Sequence, residues 1–406
     1  MAMDTSRLPR RVAGALLFCF VAVAVAAVLL VERLPVAAQI FWLAEPLLLG
    51  AGLMALGAAF RRPVAVYACI LLGSLCLAFA CAELYTRVVP SLSNPGNRDD
   101  SAHSRYLKSG EAEGRFHFLP DELLGYVHPA GGRLAHRKLH GDELVFDTLC
   151  TLDGAGRRVT PARPDAARAV LLFGDSFTFG DGVEDGETFA WRLGEALGPD
   201  WQVFNYGVSG YGAHQALALI ESGRIPFAAL RGRYREIFAF FLSIGDHPRR
   251  ACTWFSHGPR YVSAGTDARD ARRVRHAGAL PATRGDVTAR LLSGSTFFES
   301  IYPRLVATRA TALHLDILET CARDLAVWHI PFTVLLWPDC EQLLPALRER
   351  RVDAVSLAPR FPTPGSAWTG TPSQWRVSPW DRHPNARAHA IIAQALEELL
   401  RRPAAQ

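Results

Sequence analysis

Residues 169–180 read AVLLFGDSFTFG, and they give the clearest indication of how the largest part of the chain folds. Ala169–Phe173 is a short, unbroken apolar run that ends at Gly174, as expected of a β-strand buried on both faces. Such strands are typical of parallel sheets, because the connections between parallel strands place helices over both faces. The stretch therefore predicts a central strand of an α/β domain.

Strand and helix patterns alternate along the chain after this strand. Helical periodicity is found in residues 188–197, 215–220, 311–326 and 385–400, and short strands are expected at 202–204, 237–242 and 332–336. This order predicts a three-layer α/β domain, in which helices cover a parallel sheet. We expect irregular β structure over 111–166 and an inserted loop or lid over 251–295. Sheets of this kind place their sites beyond the carboxyl ends of the strands.

The first 83 residues contain three apolar runs. They cover residues 12–31, 36–60 and 63–83, and each is long enough to cross a hydrocarbon core of about 30 Å. A cleaved signal peptide is the alternative for the first run. That run is longer than a usual signal-peptide core, and two further runs follow it, so we predict three transmembrane helices.

The arginines that flank these runs predict their orientation. Arg7, Arg10 and Arg11 precede the first run, and Arg61 and Arg62 join the second to the third. Because positive residues remain in the cytoplasm, an odd number of spans carries the rest of the chain across the membrane. We therefore predict a multi-pass protein of the bacterial inner membrane with a periplasmic C-terminal domain.

This topology divides the chain into three parts. We predict a transmembrane region over 1–84, a polar linker over 85–110 and an extracytoplasmic domain over 111–406. The formal net charge of the 406 residues is only +5, which argues against nucleic-acid binding.

Four cysteines fall in the predicted extracytoplasmic domain, where disulfides persist. They are Cys150, Cys252, Cys321 and Cys340, and their pairing stays open. No two cysteines have CxxC spacing, and we expect neither a metal nor a cofactor.

Two short motifs at predicted strand and helix boundaries carry side chains suited to nucleophilic catalysis. Ser176 follows the first strand at a helix start, so its hydroxyl is accessible and its backbone N–H has no helical partner. Asp381 and His383 precede the last helix, and an imidazole oriented by a carboxylate is the usual base for a serine nucleophile. Each motif alone is equally typical of a helix cap or a surface turn.

The combination of motifs resembles the SGNH (GDSL-like) hydrolase superfamily. The resemblance covers roughly residues 115–400, and it is carried by GDSFTFGDGV at 174–183, NYGVSG at 205–210 and DRHPN at 381–385. It implies that Ser176 is the nucleophile, that His383 is its base and that Asp381 orients His383. It also implies that the backbone N–H groups of Ser176 and Gly210 bind the oxyanion.

The chain departs from the superfamily at two places. The third block of the superfamily has an asparagine that donates to the oxyanion, whereas this chain has Gly245 there, followed by Asp246 and His247. Loss of one such donor costs about 10²–10³ in rate. Three interpretations stay open: His247 or a backbone N–H replaces the donor, the enzyme is slow, or the chain is not an enzyme. The Asp-x-His spacing also differs from the Asp-x-x-His of many members.

The resemblance implies a serine esterase or O-acyltransferase that acts on acyl groups, most simply O-acetyl groups, of an extracytoplasmic carbohydrate or another small ester. The alternative is a catalytically degenerate, membrane-tethered glycan-binding or scaffold protein. The missing asparagine favours the alternative, and the presence of Ser176, Asp381 and His383 opposes it. The helices in the lipid bilayer would also allow docking of a membrane acyltransferase partner, since they contain small residues that permit close helix packing, namely Gly50, Gly52, Gly57, Gly73 and Ser74.

Overall fold

A computed structural model describes most of the chain. The described residues are 36–57, 62–88, 104–108, 118–140, 142–252, 258–263, 274–279, 296–361 and 374–401. They fall into two compact units, one comprising Met1–Pro95 and Thr283–Val306 and the other Gly96–Ala282 and Ala307–Gln406. The first predicted membrane span, residues 12–31, lies outside the described residues.

The first unit contains two apolar helices, α1 (Val36–Gly57) and α2 (Pro63–Val88). They pack closely where Gly50 meets Gly73, since a Cβ atom on either glycine would lie 2.9 Å from the carbonyl oxygen of the other. Among the described residues, only Pro63–Tyr85 forms a helix long and apolar enough to cross a membrane. The multi-pass arrangement stays a prediction.

Residues 104–152 contain antiparallel β structure. The strands are β1 (Ser104–Lys108), β2 (Leu119–Asp121), β3 (Gly125–Val127), β4 (Gly132–His140) and β5 (Glu143–Leu152). Strands β1, β4 and β5 form one sheet in the order β1-β4-β5, and β2 pairs with β3. Strand β1 falls within the predicted linker, and the long β4–β5 hairpin replaces the irregular structure expected here. Leu144 and Leu149 of β5 are exposed, and these outward apolar side chains obscure the period-two pattern that identifies a strand.

The parallel sheet predicted from the sequence is confirmed. The remaining strands are β6 (Arg168–Phe173), β7 (Trp201–Asn205), β8 (Glu236–Ser243), β9 (Pro259–Ser263), β10 (Val274–Ala279), β11 (Phe332–Leu336), β12 (Asp353–Ser356), β13 (Arg376–Ser378) and β14 (Asp381–Pro384). Five of them form a parallel sheet in the order β12-β11-β8-β6-β7. Strand β12 is not predicted, because its four residues are not fully buried and lack an apolar run.

Helices follow most strands of this sheet. They are α3 (Ser176–Phe179), α4 (Phe189–Leu197), α5 (Ala213–Glu221), α6 (Phe227–Arg233), α7 (His247–Cys252), α8 (Thr296–Ala326), α9 (Leu344–Glu349) and α10 (Ala386–Arg401), with short 3-10 turns at Asp185–Glu187, Pro338–Leu343 and Ala358–Arg360. The four predicted helices correspond to α4, α5, α8 and α10. Helix α8 begins at Thr296, earlier than its predicted start at Thr311.

Two antiparallel pairs complete the described structure. Strands β9 and β10 pair within the segment 251–295, which the sequence predicts as a loop or lid. Strands β13 and β14 pair directly before α10. The second pair contains both Asp381 and His383, and it therefore determines where the predicted base lies.

Candidate active site

Ser176 lies at the carboxyl edge of the parallel sheet, directly after β6. The chain turns out of the strand at Gly174, whose φ of +152° and close contact with Thr178 leave no room for a side chain. Asp175 then caps α3, because its carboxylate accepts a hydrogen bond from the backbone N–H of Phe177 at 2.9 Å. As the first residue of α3, Ser176 has a backbone N–H without a partner inside the helix.

The β13–β14 pair brings His383 to Ser176. The Oγ atom of Ser176 lies 2.8 Å from Nε2 of His383. On the other side of the ring, Nδ1 lies 2.6 Å from Oδ1 of Asp381. Both residues belong to β14, where side chains two positions apart share a face, so the Asp-x-His spacing suits this backbone. The arrangement allows a proton to pass from the serine hydroxyl to the imidazole.

The charges around His383 favour its protonated form. Burial lowers the pKa of His383, but the carboxylates of Asp381 and Asp181 outweigh this effect and raise the pKa to about 9. Burial alone would raise the pKa of Asp381, but His383 and Lys138 hold it below its usual range. Asp381 is therefore ionised at neutral pH, and it stabilises an imidazolium on His383.

Asp181 is a second carboxylate at this site, and the sequence motifs do not single it out. Its Oδ2 lies 3.9 Å from Nε2 of His383, on the side of the ring that faces Ser176. It accepts a hydrogen bond from the hydroxyl of Ser209 at 2.9 Å, and Nδ1 of His136 lies 3.8 Å away. Asp181 thus links the histidine to the loop that contains Ser209.

That loop, residues 205–212, joins β7 to α5, and we call it the glycine loop. The side chain of Asn205 stabilises its first turn by donating to the carbonyl of Thr178 at 2.9 Å and accepting from the N–H of Gly207 at 2.9 Å. A Cβ atom on Gly207 would lie 2.5 Å from the backbone nitrogen of Phe179. The glycine therefore allows the loop to pack directly against α3.

The peptide between Ser209 and Gly210 is held by Tyr126, a residue of β3. The phenol of Tyr126 donates a hydrogen bond to the carbonyl of Ser209 at 2.9 Å, and burial raises the pKa of this phenol to about 12, which keeps it a donor. In a trans peptide the N–H points away from the carbonyl. Tyr126 therefore fixes the direction of the Gly210 N–H, the second backbone donor implied by the resemblance.

The third strand end differs from the superfamily pattern in its contacts as well as in its sequence. The backbone N–H of Gly245 donates to Oδ1 of Asp339 at 2.9 Å, and a Cβ atom on Gly245 would lie 2.9 Å from Oδ2 of the same carboxyl. Asp246 binds Arg249 and Arg250 through its carboxylate. Asp339 therefore fills the space that a side chain at position 245 would enter.

His247 lies in a buried ionic cluster below this strand end. Its Nε2 lies 3.3 Å from Oδ2 of Asp175, and its Nδ1 lies 3.3 Å from the backbone nitrogen of Ile244. Arg250 also donates to Asp175 at 2.9 Å, and these partners lower the pKa of Asp175 to about 2 despite its burial. The structure thus groups His247 with Asp175 and Arg250, whereas its role as an oxyanion donor stays a prediction.

Lys138 is the third residue that the sequence does not identify, together with Tyr126 and Asp181. Lys138 and Tyr126 lie far along the chain from the motifs that they contact. Asp181 lies within GDSFTFGDGV, but the resemblance gives it no role. The alternation of β4 places Lys138 on the inward face. A lysine at an inward position of a strand is the one signal that points to it.

The described residues contain no group of three His, Cys, Asp or Glu side chains arranged to hold a metal. Cys150, Cys321 and Cys340 are buried free thiols.

No protein-family model matches the chain, and no curated protein matches it. Among solved structures, the chain is similar to Est24, a carbohydrate acetylesterase from Sinorhizobium meliloti. The two chains are 12% identical, and the match covers 57% of this chain and 98% of that one with a TM-score of 0.30. Because the two structures superpose so weakly, the function is inferred from the geometry of the site itself.

Proposed function

We propose that the chain is a serine esterase or O-acyltransferase. One observation carries the proposal: the hydroxyl of Ser176 lies 2.8 Å from an imidazole whose other nitrogen lies 2.6 Å from a buried carboxylate. A histidine that only stabilised the fold would need only one of these two hydrogen bonds. A serine hydroxyl hydrogen-bonded to a histidine, which is in turn hydrogen-bonded to an aspartate, is the arrangement that activates a hydroxyl for acyl transfer.

In this mechanism, Ser176 attacks the carbonyl carbon of an ester while its proton moves to Nε2 of His383. The carbonyl oxygen gains a negative charge, which the backbone N–H groups of Ser176 and Gly210 stabilise. His383 then returns the proton to the leaving alcohol, and an acyl-serine remains. Water or a sugar hydroxyl, deprotonated by the same histidine, releases the acyl group and regenerates Ser176. Asp381 stabilises the imidazolium at each proton transfer.

The substrate class in this proposal is the acylated carbohydrate implied by the resemblance. An extracytoplasmic substrate suits a domain carried by membrane helices, since exported polysaccharides lie on that side of the membrane. A hydrolase and a transferase would use the same three side chains and would differ only in the acceptor. The acceptor is therefore part of the test.

A non-catalytic glycan-binding or scaffold protein is the second candidate. The observation that favours it is the position of Gly245, which lacks the amide donor of the superfamily and has the carboxyl of Asp339 in the adjacent space. A site without that donor stabilises an oxyanion less well. The two candidates differ in whether Ser176 forms an acyl intermediate.

The test compares the full chain in detergent with two variants. Ser176→Ala removes the proposed nucleophile, and Ser222→Ala is the matched control. Ser222 is an exposed helix-end serine whose hydroxyl donates to the carbonyl of Leu219. For the esterase, hydrolysis of a short-chain nitrophenyl acetate falls by at least about 10³ in Ser176→Ala and is unchanged in Ser222→Ala. A fluorophosphonate should label Ser176, identified by mass spectrometry of the digested chain.

The same assay is repeated with an added polysaccharide acceptor, so that a strict transferase is also detected. Equal turnover in the wild type and Ser176→Ala, with and without the acceptor, and no label on Ser176 would refute the enzyme and support the scaffold.

A further inference from the structure

Lys138 brings an ammonium group into the site from β4, which lies outside the parallel sheet. Its Nζ lies 2.8 Å from Oδ2 of Asp381, and the two side chains are 4% and 0% exposed. The other oxygen of Asp381, Oδ1, accepts from the ring and from the backbone N–H of His383 at 2.6 and 2.8 Å. The carboxylate is thus shared between a lysine on one oxygen and a histidine on the other.

The position of Lys138 is costly for stability alone. Removing an ammonium group from water costs several kcal/mol, and well-packed apolar residues often replace a buried ion pair without loss of stability. The neighbouring Arg137 shows the usual alternative, since it lies on the other face of β4, is half exposed and pairs with Asp147. Stability of the fold therefore does not explain why a lysine occupies this buried position.

The charges that face His383 supply that reason. Asp381 lies on the same strand, Asp181 follows α3, and Lys138 comes from β4, while Nδ1 of His136, on the same β4, lies 3.8 Å from Asp181. Without the ammonium group, the two carboxylates would hold the proton on the imidazole up to a still higher pH, and a protonated imidazole cannot accept the proton of a serine. The positive charge of Lys138 opposes this protonation, whereas the carboxylates raise the pKa of His383.

We propose that Lys138 is a positioning residue of the esterase proposed above: it orients Asp381 towards His383 and weakens the attraction of the two carboxylates for the imidazole proton. The inference rests on the proposed function. The lysine keeps its own protons throughout, and the serine proton still moves to Nε2 of His383. Its effect is electrostatic and geometric, and it acts through Asp381.

The experiment measures kcat/KM for a nitrophenyl acetate between about pH 6 and 10 with the full chain. For the wild type, the rate should rise with pH as His383 loses its proton. In Lys138→Met, loss of the positive charge should move the midpoint of this rise upward by roughly one pH unit, so that kcat/KM at pH 7 falls roughly tenfold. KM should change little, because the lysine does not contact the substrate.

Two variants serve as controls on the same strand. Lys138→Arg keeps the charge beside Asp381 and should keep the midpoint within about 0.3 pH unit of the wild type. Arg137→Met removes a cation from the outward face of β4 and should leave both the midpoint and kcat/KM unchanged. Lys138→Gln keeps a hydrogen-bond donor for Asp381 but no charge, and it should show the upward shift even if Lys138→Met folds poorly.

The outcomes separate the two proposals. If the wild type and Arg137→Met show no activity that depends on Ser176, the proposed function fails and the inference fails with it. If both are active and the Lys138→Met or Lys138→Gln midpoint stays in place or moves to lower pH, only the inference is overturned. Loss of the folded state in both variants, seen as loss of the thermal transition, would assign Lys138 a structural role and would also overturn it.

Discussion

Two histidines of the same domain, His383 and His214, have opposite electrostatic surroundings. His383 has the carboxylates of Asp381 and Asp181 at 2.6 and 3.9 Å, and its pKa rises to about 9. His214 is buried, and burial, together with the neighbouring His247 and the positive charge of Arg250, lowers its pKa to about 3. One imidazole can therefore hold a proton near neutral pH, whereas the other cannot.

Burial by itself lowers the pKa of a histidine and keeps its ring neutral at neutral pH. His389 gives a second example, because it is buried, its pKa falls to about 3, and its Nδ1 accepts a hydrogen bond from the backbone N–H of Phe189 at 3.1 Å. Only a carboxylate within hydrogen-bond distance turns a buried imidazole into a group that stabilises a positive charge. Of these three histidines, only His383 has that partner, and only His383 contacts a serine hydroxyl.

The largest expected effect separates the two histidines directly. His383→Gln should lower kcat for nitrophenyl acetate hydrolysis by at least about 10³, because no other described group near Ser176 is placed to take its proton. His214→Leu should leave kcat within about twofold, since it replaces a neutral buried ring with an apolar side chain of similar volume. Initial rates of both variants at pH 9 are the measurement. Equal losses in the two variants would contradict the comparison.

A smaller effect is expected at the glycine loop, which contacts Asp181 through Ser209 and ends beside His214. Tyr126→Phe removes the hydroxyl that holds the Ser209–Gly210 peptide, so kcat should fall about tenfold with little change in KM. The backbone N–H of Gly210, the proposed oxyanion donor, would then be less well oriented, while the substrate would still bind.

Tyr261→Phe is the matched control for this change. It removes another hydroxyl, which donates to Glu221 at 2.6 Å and does not belong to the loop. Its melting temperature should fall about as much as that of Tyr126→Phe, with kcat unchanged. A similar loss of kcat in both variants would show that Tyr126 stabilises the fold and does not orient the Ser209–Gly210 peptide for catalysis.

The smallest effect is expected for a substitution of Asp181, which would make the surroundings of His383 more like those of His214. Asp181→Asn removes one negative charge near Nε2 but keeps an oxygen that accepts from Ser209. The pKa of His383 should fall, so the midpoint of the rise in kcat/KM with pH should move down by less than about one pH unit. This direction is opposite to that expected for Lys138→Met. An upward shift, measured in the same pH series, would show that Asp181 does not face the imidazole as a charge.

Local patterns in the sequence account for much of the architecture. The apolar run of β6 and the periodicity of α4 and α10 predict a parallel sheet with helices, because burial on both faces leaves a readable signature in each segment. The same reasoning does not identify β5 as a regular strand, since the exposed Leu144 and Leu149 hide its alternation. It also misses β12, which is too short to form a pattern.

Local motifs in the sequence predict four of the five strands of the parallel sheet, the four longer helices around it and the candidate residues Ser176, Asp381 and His383. The groups that surround these residues follow from the tertiary structure alone. The contacts of Lys138 with Asp381 and of Tyr126 with Ser209 join residues 243 and 83 positions apart. Electrostatic tuning depends on distances of a few ångströms between such residues, and no periodicity along the chain records those distances.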